Sequence, residues 1–158
     1  NSPPLLCRST AADRKPAWTP VGEAHVYLDV SGSMAGDLPW IAGALRPLEK
    51  NGYCRIFLFS TKVVPLPQGQ LGNGRIASTG GTNIRCVLAH LAELPPAKRP
   101  RHAVVVTDGF FGAPYRLRHA FTDFKKEKVT LHAAITPSGS ESPLSSIAAS
   151  ITRLPVYK

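Results

Sequence analysis

A chain of 158 residues with 43% hydrophobic residues can form one globular domain with a substantial core, and it is too short for several. No apolar run is long enough for a membrane helix or typical of a signal peptide, so neither is expected. The formal net charge of +9 favours acidic proteins, nucleic acid or other anionic partners. The three cysteines form no C-x-x-C pair or Cys/His cluster, which argues against a zinc motif and favours a reduced, cytoplasmic setting.

The first 22 residues differ in composition from the rest of the chain. They are rich in proline and basic side chains and have no periodic apolar pattern. Because proline fixes φ and removes an amide donor, residues 1–22 are expected to form an extended arm or a linker. The domain itself is expected over residues 23–158, as one unit that can belong to a longer protein.

The first candidate strand lies in residues 25–34 and ends in a turn rich in oxygen-bearing side chains. Its apolar residues predict a strand that is buried on both faces. Asp29, Ser31 and Ser33 then follow at alternate positions, with Gly32 giving the backbone freedom to curl. One carboxylate and two hydroxyls suit Mg²⁺, Mn²⁺ or Ca²⁺ better than zinc or copper. Ordinary turn and helix-cap chemistry explains the same residues, so the motif alone leaves both interpretations open.

Helical and strand patterns alternate after this turn. The predicted elements are a helix over residues 37–50, strands over 53–60 and 61–66, and an amphipathic helix opened by Thr82 and closed by Pro95. Asp37 is a candidate N-cap of the first helix, and Pro47 is expected to kink it. Thr82 or Asn83 is a candidate N-cap of the second helix, which follows a glycine-rich stretch over residues 68–81.

The second half repeats the pattern of a buried strand that ends on aspartate. An apolar run over residues 102–108 reaches Asp108 and is followed by Gly109. The elements expected beyond it are a helix over residues 116–126, a strand over 129–135, a helix over 142–150 capped by Ser142, and a last strand over 151–157. This alternation predicts an α/β fold of three layers, with a mostly parallel, Rossmann-like central sheet and helices on both faces.

Three separate segments place polar side chains at one edge of this sheet. Open parallel sheets bind ligands beyond the carboxyl ends of their strands, near the point where the strand order reverses. Asp29 with its two serines, Thr82 and Asp108 all map to loops at that edge. They are therefore predicted to converge on one site.

This combination resembles the von Willebrand factor type A domain and its metal-ion-dependent adhesion site. The resemblance covers residues 23–158 and is carried by Asp29-Val30-Ser31-Gly32-Ser33, by Thr82 of Gly80-Gly81-Thr82-Asn83, and by Asp108 of Thr107-Asp108-Gly109. It implies that Ser31 and Ser33 bind a divalent ion directly. Asp29, Thr82 and Asp108 bind it directly or through water. The ion is expected to be Mg²⁺, with Mn²⁺ or Ca²⁺ as alternatives, and a partner's Asp or Glu is expected to complete its coordination.

Two departures from the family pattern narrow what the resemblance implies. Ala35-Gly36-Asp37 offers one carboxylate where some integrin subunits carry an aspartate pair for a second metal, so a single ion is expected. No long helix is evident after the last strand, so a large integrin-like motion is not expected. The compact, cysteine-poor chain looks more like bacterial intracellular domains that work beside MoxR-type AAA ATPases than like matrix adhesion proteins.

The expected function is a metal-dependent protein-interaction module without catalytic residues. The sequence contains five histidines, but it shows no pair of a nucleophile and a general base that would indicate catalysis. Two alternatives stay open. Ro-type RNA-binding proteins contain the same domain, and the positive charge is compatible with nucleic-acid association. Alternatively, Asp29 and Asp108 could hold magnesium for phosphoryl transfer or hydrolysis. Against this enzyme, the position of a second acid beside Asp29 is taken by Ser31.

Overall fold

The computed structural model describes residues 24–66, 81–110, 129–145 and 147–156. The predicted arm over residues 1–22, the predicted helix over residues 116–126 and all of the glycine-rich stretch except Gly81 lie outside these ranges. No helix in the described ranges is long and apolar enough to cross a bilayer.

The described residues form one six-stranded sheet. Its strands are β1 (Ala24–Asp29), β2 (Cys54–Phe59), β3 (Val63–Pro65), β4 (His102–Thr107), β5 (Thr130–Ile135) and β6 (Ser150–Arg153). The strand order is β3-β2-β1-β4-β5-β6, in which β3 alone is antiparallel to its neighbour. The chain moves outward from β1 to one side and returns to continue at β4 on the other. The reversal of strand order therefore lies between β1 and β4, whose carboxyl ends are adjacent.

Two helices cover opposite faces of the sheet: α1 (Leu38–Lys50) and α2 (Arg85–Glu93). Successive side chains of a strand point to opposite faces, and β1 follows this rule. Val26 and Leu28 pack in one core cluster with residues of α1, whereas Tyr27 packs in a second cluster with residues of α2. These two cores define helix, sheet and helix layers, and they confirm the predicted three-layer, mostly parallel α/β fold.

Both helices begin near the predicted positions but use other groups at their N-termini. Asp37 is at the N-cap of α1, yet its carboxylate accepts a hydrogen bond from the Trp40 indole at 2.9 Å instead of capping the helix. α2 begins at Arg85, three residues later than Thr82. The N-cap residue is Ile84, so neither Thr82 nor Asn83 is the N-cap as predicted, although the Asn83 side chain accepts the Arg85 N–H at 3.1 Å.

The predicted helix over residues 142–150 is wrong. The described residues there form one 3-10 turn, Ser142–Leu144, and its N-cap is Glu141 instead of the predicted Ser142. The chain then becomes extended, because the Ala149 N–H donates to the Leu131 carbonyl and β6 pairs in parallel with β5. This pairing supplies partners for several backbone groups, and it overrides the weak helical pattern of a short serine-rich stretch. The last strand accordingly begins earlier than predicted and ends at Arg153.

Candidate metal centre

The carboxyl ends of β1 and β4 bring two aspartates together inside the protein. Asp29 is the last residue of β1 and is fully buried, and Asp108 directly follows β4 and is 4% exposed. β1 and β4 pair in parallel, so both chains leave the sheet at the same edge. As predicted, Asp29 and Asp108 lie at the ends of two neighbouring parallel strands, at the same edge of the sheet.

Hydrogen bonds fix the Asp29 carboxylate at both oxygens. The Ser31 backbone N–H donates to Oδ1 at 2.8 Å, and the Thr107 hydroxyl donates to Oδ2 at 2.6 Å. Thr107 is a buried positioning residue that sequence reasoning missed. The available signal was a hydroxyl at the end of an otherwise apolar strand, one residue before Asp108.

The two serines join Asp108 to the same cluster. The Ser33 hydroxyl donates to Oδ2 of Asp108, and the Ser31 and Ser33 hydroxyl oxygens lie 3.4 Å apart. The Phe110 N–H donates to Oδ1 of Asp108 at 3.2 Å, which holds the remaining carboxylate oxygen. The structure therefore brings together four of the five predicted site residues, which we call the carboxylate cluster: Asp29, Ser31, Ser33 and Asp108.

Thr82 lies at the same sheet edge, but no hydrogen bond in the described ranges joins it to the carboxylate cluster. Its loop is held beside the end of β2, because the Asn83 N–H donates to the Ser60 carbonyl at 2.7 Å. The first turn of α2 is close enough to Asp29 for that carboxylate to contribute to the raised pKa of Cys86, after the larger effect of burial. Thr82 is therefore half-exposed at the sheet edge that carries the cluster, and no hydrogen bond in the described part of the chain connects the two.

The electrostatics of the cluster are unfavourable without a cation. Burial raises the pKa of Asp29, and the negative charge of Asp108 raises it further, although hydrogen bonds from Thr107 and Ser31 oppose the shift. Within the described ranges, neither aspartate forms an ion pair. Two buried carboxylates without a compensating positive charge are costly, so this cluster favours a bound proton or a metal ion.

The residues present fit a hard divalent ion. Every polar atom of the carboxylate cluster's side chains is oxygen, which Mg²⁺ and Mn²⁺ prefer. Neighbouring ligands in an octahedron with metal–oxygen bonds of about 2.1 Å lie about 3 Å apart, close to the serine hydroxyl separation of 3.4 Å. No group of three or more His, Cys, Asp and Glu side chains suited to a metal occurs in the described part of the chain. An ion here would therefore depend on the serine hydroxyls.

Two glycines allow the loop after β5 to pack against the Asp108 backbone. Gly109 has φ +76°, and a side chain there would place its Cβ 1.9 Å from the Ser140 carbonyl oxygen. A Cβ on Gly139 would lie 2.5 Å from the Asp108 carbonyl oxygen, which accepts the Ser140 N–H at 2.7 Å. At Gly32, by contrast, a Cβ would have no atom within 4 Å, and φ is not positive. The freedom expected at Gly32 is thus required at Gly109 instead.

Arg153 stabilises this supporting loop from β6. Its guanidinium donates to the carbonyl oxygens of Thr136, Pro137 and Gly139 at 3.0–3.1 Å and forms an ion pair with Glu141 at 2.7 Å. These contacts connect the last described strand to the backbone of Asp108. The backbone beside the carboxylate cluster is therefore held by residues far from it in sequence.

In the described part of the chain, an exposed aromatic side chain follows Asp108 of the carboxylate cluster. Phe110 is 59% exposed, although its backbone N–H is bound to Asp108. Lys62 is exposed in the turn between β2 and β3, at the same edge of the sheet. An exposed apolar side chain and an exposed positive charge therefore lie at the same edge of the sheet as the carboxylate cluster.

Neither a family model nor a curated protein sequence matches the chain. Solved structures do match. Proximal thread matrix protein 1 from the mussel byssus has a TM-score of 0.64 and 20% identity, over 84% of this chain and 43% of that chain. The same mussel protein with a zinc-occupied MIDAS motif gives a TM-score of 0.65 and 19% identity over the same shares.

Manganese-loaded TRAP protein of Plasmodium vivax has a TM-score of 0.52 and 17% identity, over 72% of this chain and 56% of that chain. The chain thus spans less than two thirds of the length of these structures. These neighbours are von Willebrand factor type A domains, and at such identities the likeness concerns the fold. The chain therefore has the fold of a von Willebrand factor type A domain.

Proposed function

We propose that the chain is a metal-dependent protein-interaction module whose ion is completed by a carboxylate of the partner. Asp29, Ser31, Ser33, Thr82 and Asp108 are the proposed ligands, directly or through water. The observation that carries the proposal is the burial of Asp29 and Asp108 together, beside two serine hydroxyls and without an ion pair in the described ranges. The proposed module spans residues 23–158, with residues 1–22 as an arm or linker.

Mg²⁺ is the proposed ion, since carboxylate and hydroxyl oxygens are hard ligands. Among the structural neighbours, one holds zinc at its MIDAS motif and another is manganese-loaded, so the choice among divalent ions is a point for experiment. When bound, the ion would supply a positive charge that attracts an external carboxylate. The Asp29 oxygens already accept hydrogen bonds from Ser31 and Thr107, which lowers the negative charge available to neutralise that ion.

The proposed partner presents an acidic side chain next to an apolar one. The acid would reach the ion, and the apolar group would pack on the exposed Phe110 ring. The net charge of +9 and the exposed Lys62 would steer an acidic surface toward this edge. An AAA ATPase as this partner, and a bacterial cytoplasmic setting, belong to the same proposal and rest on the sequence resemblance and on the cysteine pattern.

The proposal contains no catalytic step. Asp29 is fully buried and accepts two hydrogen bonds, which makes it a poor nucleophile for phosphoryl transfer. Phosphate release in the presence of magnesium tests this alternative directly. Steady release that is lost in Asp108→Asn would favour the enzyme over the interaction module.

Nucleic-acid association is the weaker alternative on the described surface. Lys98 and Arg101 are exposed, but Arg99 is engaged at the end of α2, where it donates to the carbonyls of Leu91, Ala92 and Leu94. A further stretch rich in basic residues, 116–128, lies outside the described ranges. RNA binding that weakens steeply with salt and survives chelation would favour this alternative.

A capture experiment tests the proposed function. The immobilised chain is incubated with lysate in Mg²⁺ and eluted first with moderate salt and then with chelator. We expect an acidic protein in the chelator fraction from the parent chain and none from Asp29→Ala, which should stay folded because Asp29 lies at a strand end. Ser145→Ala is the matched control, since Ser145 follows the 3-10 turn and is exposed. Equal capture by parent and Asp29→Ala, with or without chelator, would contradict the proposal.

A further inference from the structure

Two histidines and a serine on neighbouring strands β4, β5 and β6 lie within hydrogen-bond distance of one another. His102 Nδ1 lies 3.0 Å from His132 Nε2, and His132 Nδ1 lies 2.7 Å from the Ser150 hydroxyl. The two imidazole rings stack with centroids 5.2 Å apart and an interplanar angle of 28°. We call these three residues the histidine pair with its serine.

The sheet itself creates this arrangement. In the parallel register Val104 is opposite His132, and His132 is opposite Ser150, so His102 lies diagonally across from His132. His102 begins β4, His132 lies opposite Val104, and Asp108 follows the end of β4, so about 20 Å of strand separates His102, and about 13 Å separates His132, from the level of the carboxylate cluster. The two groups are therefore independent in space.

The spacing of the ring nitrogens suits a shared transition ion. Two ligands of a tetrahedral ion with metal–nitrogen bonds of about 2.0–2.1 Å lie about 3.3 Å apart, close to the observed 3.0 Å. A ligating histidine usually donates its other ring N–H to an acceptor, which fixes the tautomer and the ring orientation. The Ser150 hydroxyl is in place to accept from His132 Nδ1, which leaves the Nε2 lone pair directed toward His102.

The group is also accessible from solvent. His102 and Ser150 are exposed, and His132 is half-buried, so an ion can approach from solvent.

We propose that His102 and His132 form a second metal site, specific for a divalent transition ion that prefers imidazole ligands, such as Zn²⁺ or Cu²⁺. Two ring nitrogens bind the ion, and Ser150 acts as the positioning residue for His132. Water or a group from a partner fills the remaining coordination positions. The site differs chemically from the carboxylate cluster, because nitrogen ligands select zinc and copper over magnesium.

The test uses Cu²⁺ as the probe, with the whole chain saturated with Mg²⁺ to occupy the carboxylate cluster. We expect one bound Cu²⁺ per chain, with electron paramagnetic resonance couplings from two nitrogens. His102→Gln and His132→Gln should each remove the two-nitrogen signal. His90→Gln is the matched control, because His90 lies on α2 at the opposite face of the sheet and should leave the signal unchanged.

Two further variants separate the roles. Asp108→Asn should keep the two-nitrogen signal, because it changes only the carboxylate cluster. Ser150→Ala should keep two nitrogens but weaken Zn²⁺ binding by about 10–100-fold, and Ser150→Thr should restore it. A Cu²⁺ spectrum without nitrogen couplings, or one that survives His132→Gln unchanged, would overturn the proposal and leave the contact as an ordinary hydrogen-bonded chain.

Discussion

Residues of strand β1 take part in two clusters of buried polar side chains, and the clusters differ in their net charge. The first is the carboxylate cluster at its carboxyl end. The second is a network in which the Tyr27 hydroxyl lies 3.2 Å from His25 Nδ1 and 2.8 Å from His90 Nδ1. The network is made of groups that are neutral in the protein, because burial lowers the pKa of His25 to about 4 and raises that of Tyr27. The cluster instead gathers two carboxylates.

The difference shows which kind of buried polar group points to a ligand. In the histidine–tyrosine network the Tyr27 hydroxyl lies within hydrogen-bond distance of both Nδ1 atoms and the Tyr27 ring stacks on Phe57, so neutral groups pair with one another inside the core. In the carboxylate cluster, each hydrogen bond leaves the net negative charge in place. Polar burial is therefore common to both groups, but only the uncompensated charge of Asp29 and Asp108 calls for a cation.

Gly109→Ala should have the largest effect, since it breaks the cluster and spares the network. The new Cβ would meet the Ser140 carbonyl, and alanine disfavours φ +76°, so we expect a loss of about 3 kcal/mol in the free energy of unfolding, measured in urea. Gly32→Ala is the matched control and should change stability by less than about 1 kcal/mol, because open space surrounds that position. Similar losses in both variants would contradict the close packing at Gly109.

Two substitutions should distinguish the stability effect of buried charge from that of buried hydrogen bonds: Asp108→Asn removes a charge from the cluster, and Tyr27→Phe removes a hydroxyl from the network. Without metal, Asp108→Asn should be at least as stable as the parent, because it removes a buried like charge beside Asp29, and Mg²⁺ should no longer stabilise it. Tyr27→Phe should lose about 1–2 kcal/mol with or without Mg²⁺, because it leaves His90 without its partner. Urea unfolding of both variants in Mg²⁺ and in chelator checks this. A Tyr27→Phe protein that loses its response to Mg²⁺ would show that the two groups are coupled.

The network should also produce a pH dependence that the cluster does not explain. The folded protein favours neutral His25, so below the ordinary pKa of 6.5 the unfolded chain binds more protons than the folded one. The contribution of His25 to the free energy of unfolding should therefore rise with pH from about 4 to 6.5 and then level off. It is measured in urea with chelator as the difference between the parent and His25→Gln, because the raised pKa of Asp29 acts in the opposite direction in both proteins. His25→Gln should flatten this rise. An equally steep rise in His25→Gln would assign it to other groups.

Thr82→Ala should have the smallest effect on metal binding among the proposed ligands. Thr82 makes no described hydrogen bond to the cluster and is half-exposed, so its hydroxyl is the least fixed of the five. We expect a Mg²⁺ affinity lowered by about tenfold or less, with unchanged stability in chelator, measured by calorimetry. Asn83→Ala at the neighbouring position should leave the affinity unchanged and slightly weaken α2, because Asn83 accepts the Arg85 N–H.

The sequence was informative where local pattern and tertiary structure agree. Strong apolar runs ending on Asp29 and Asp108 predicted the two central strands and their shared edge, and the sheet and its two helical layers were predicted correctly. The prediction failed where tertiary pairing decided, since β6 begins inside the stretch expected to be helical.

Residues that support the site were harder to find than its candidate ligands. Thr107 binds Asp29, and Arg153 holds the loop beneath Asp108, yet neither belongs to a motif. Ser140 approaches Gly109 so closely that no Cβ fits there, and that contact joins segments 31 residues apart in sequence, from 109 to 140. Such long-range contacts have no local signature.

A Mn²⁺ titration followed by electron paramagnetic resonance tests the metal centre most directly. The parent chain should bind one Mn²⁺ in an all-oxygen environment, Mg²⁺ should displace it, and Asp108→Asn should lose it. Tyr27→Phe should bind as the parent does. The central claim would be contradicted if Mn²⁺ fails to bind the parent, or if Asp108→Asn binds it equally well.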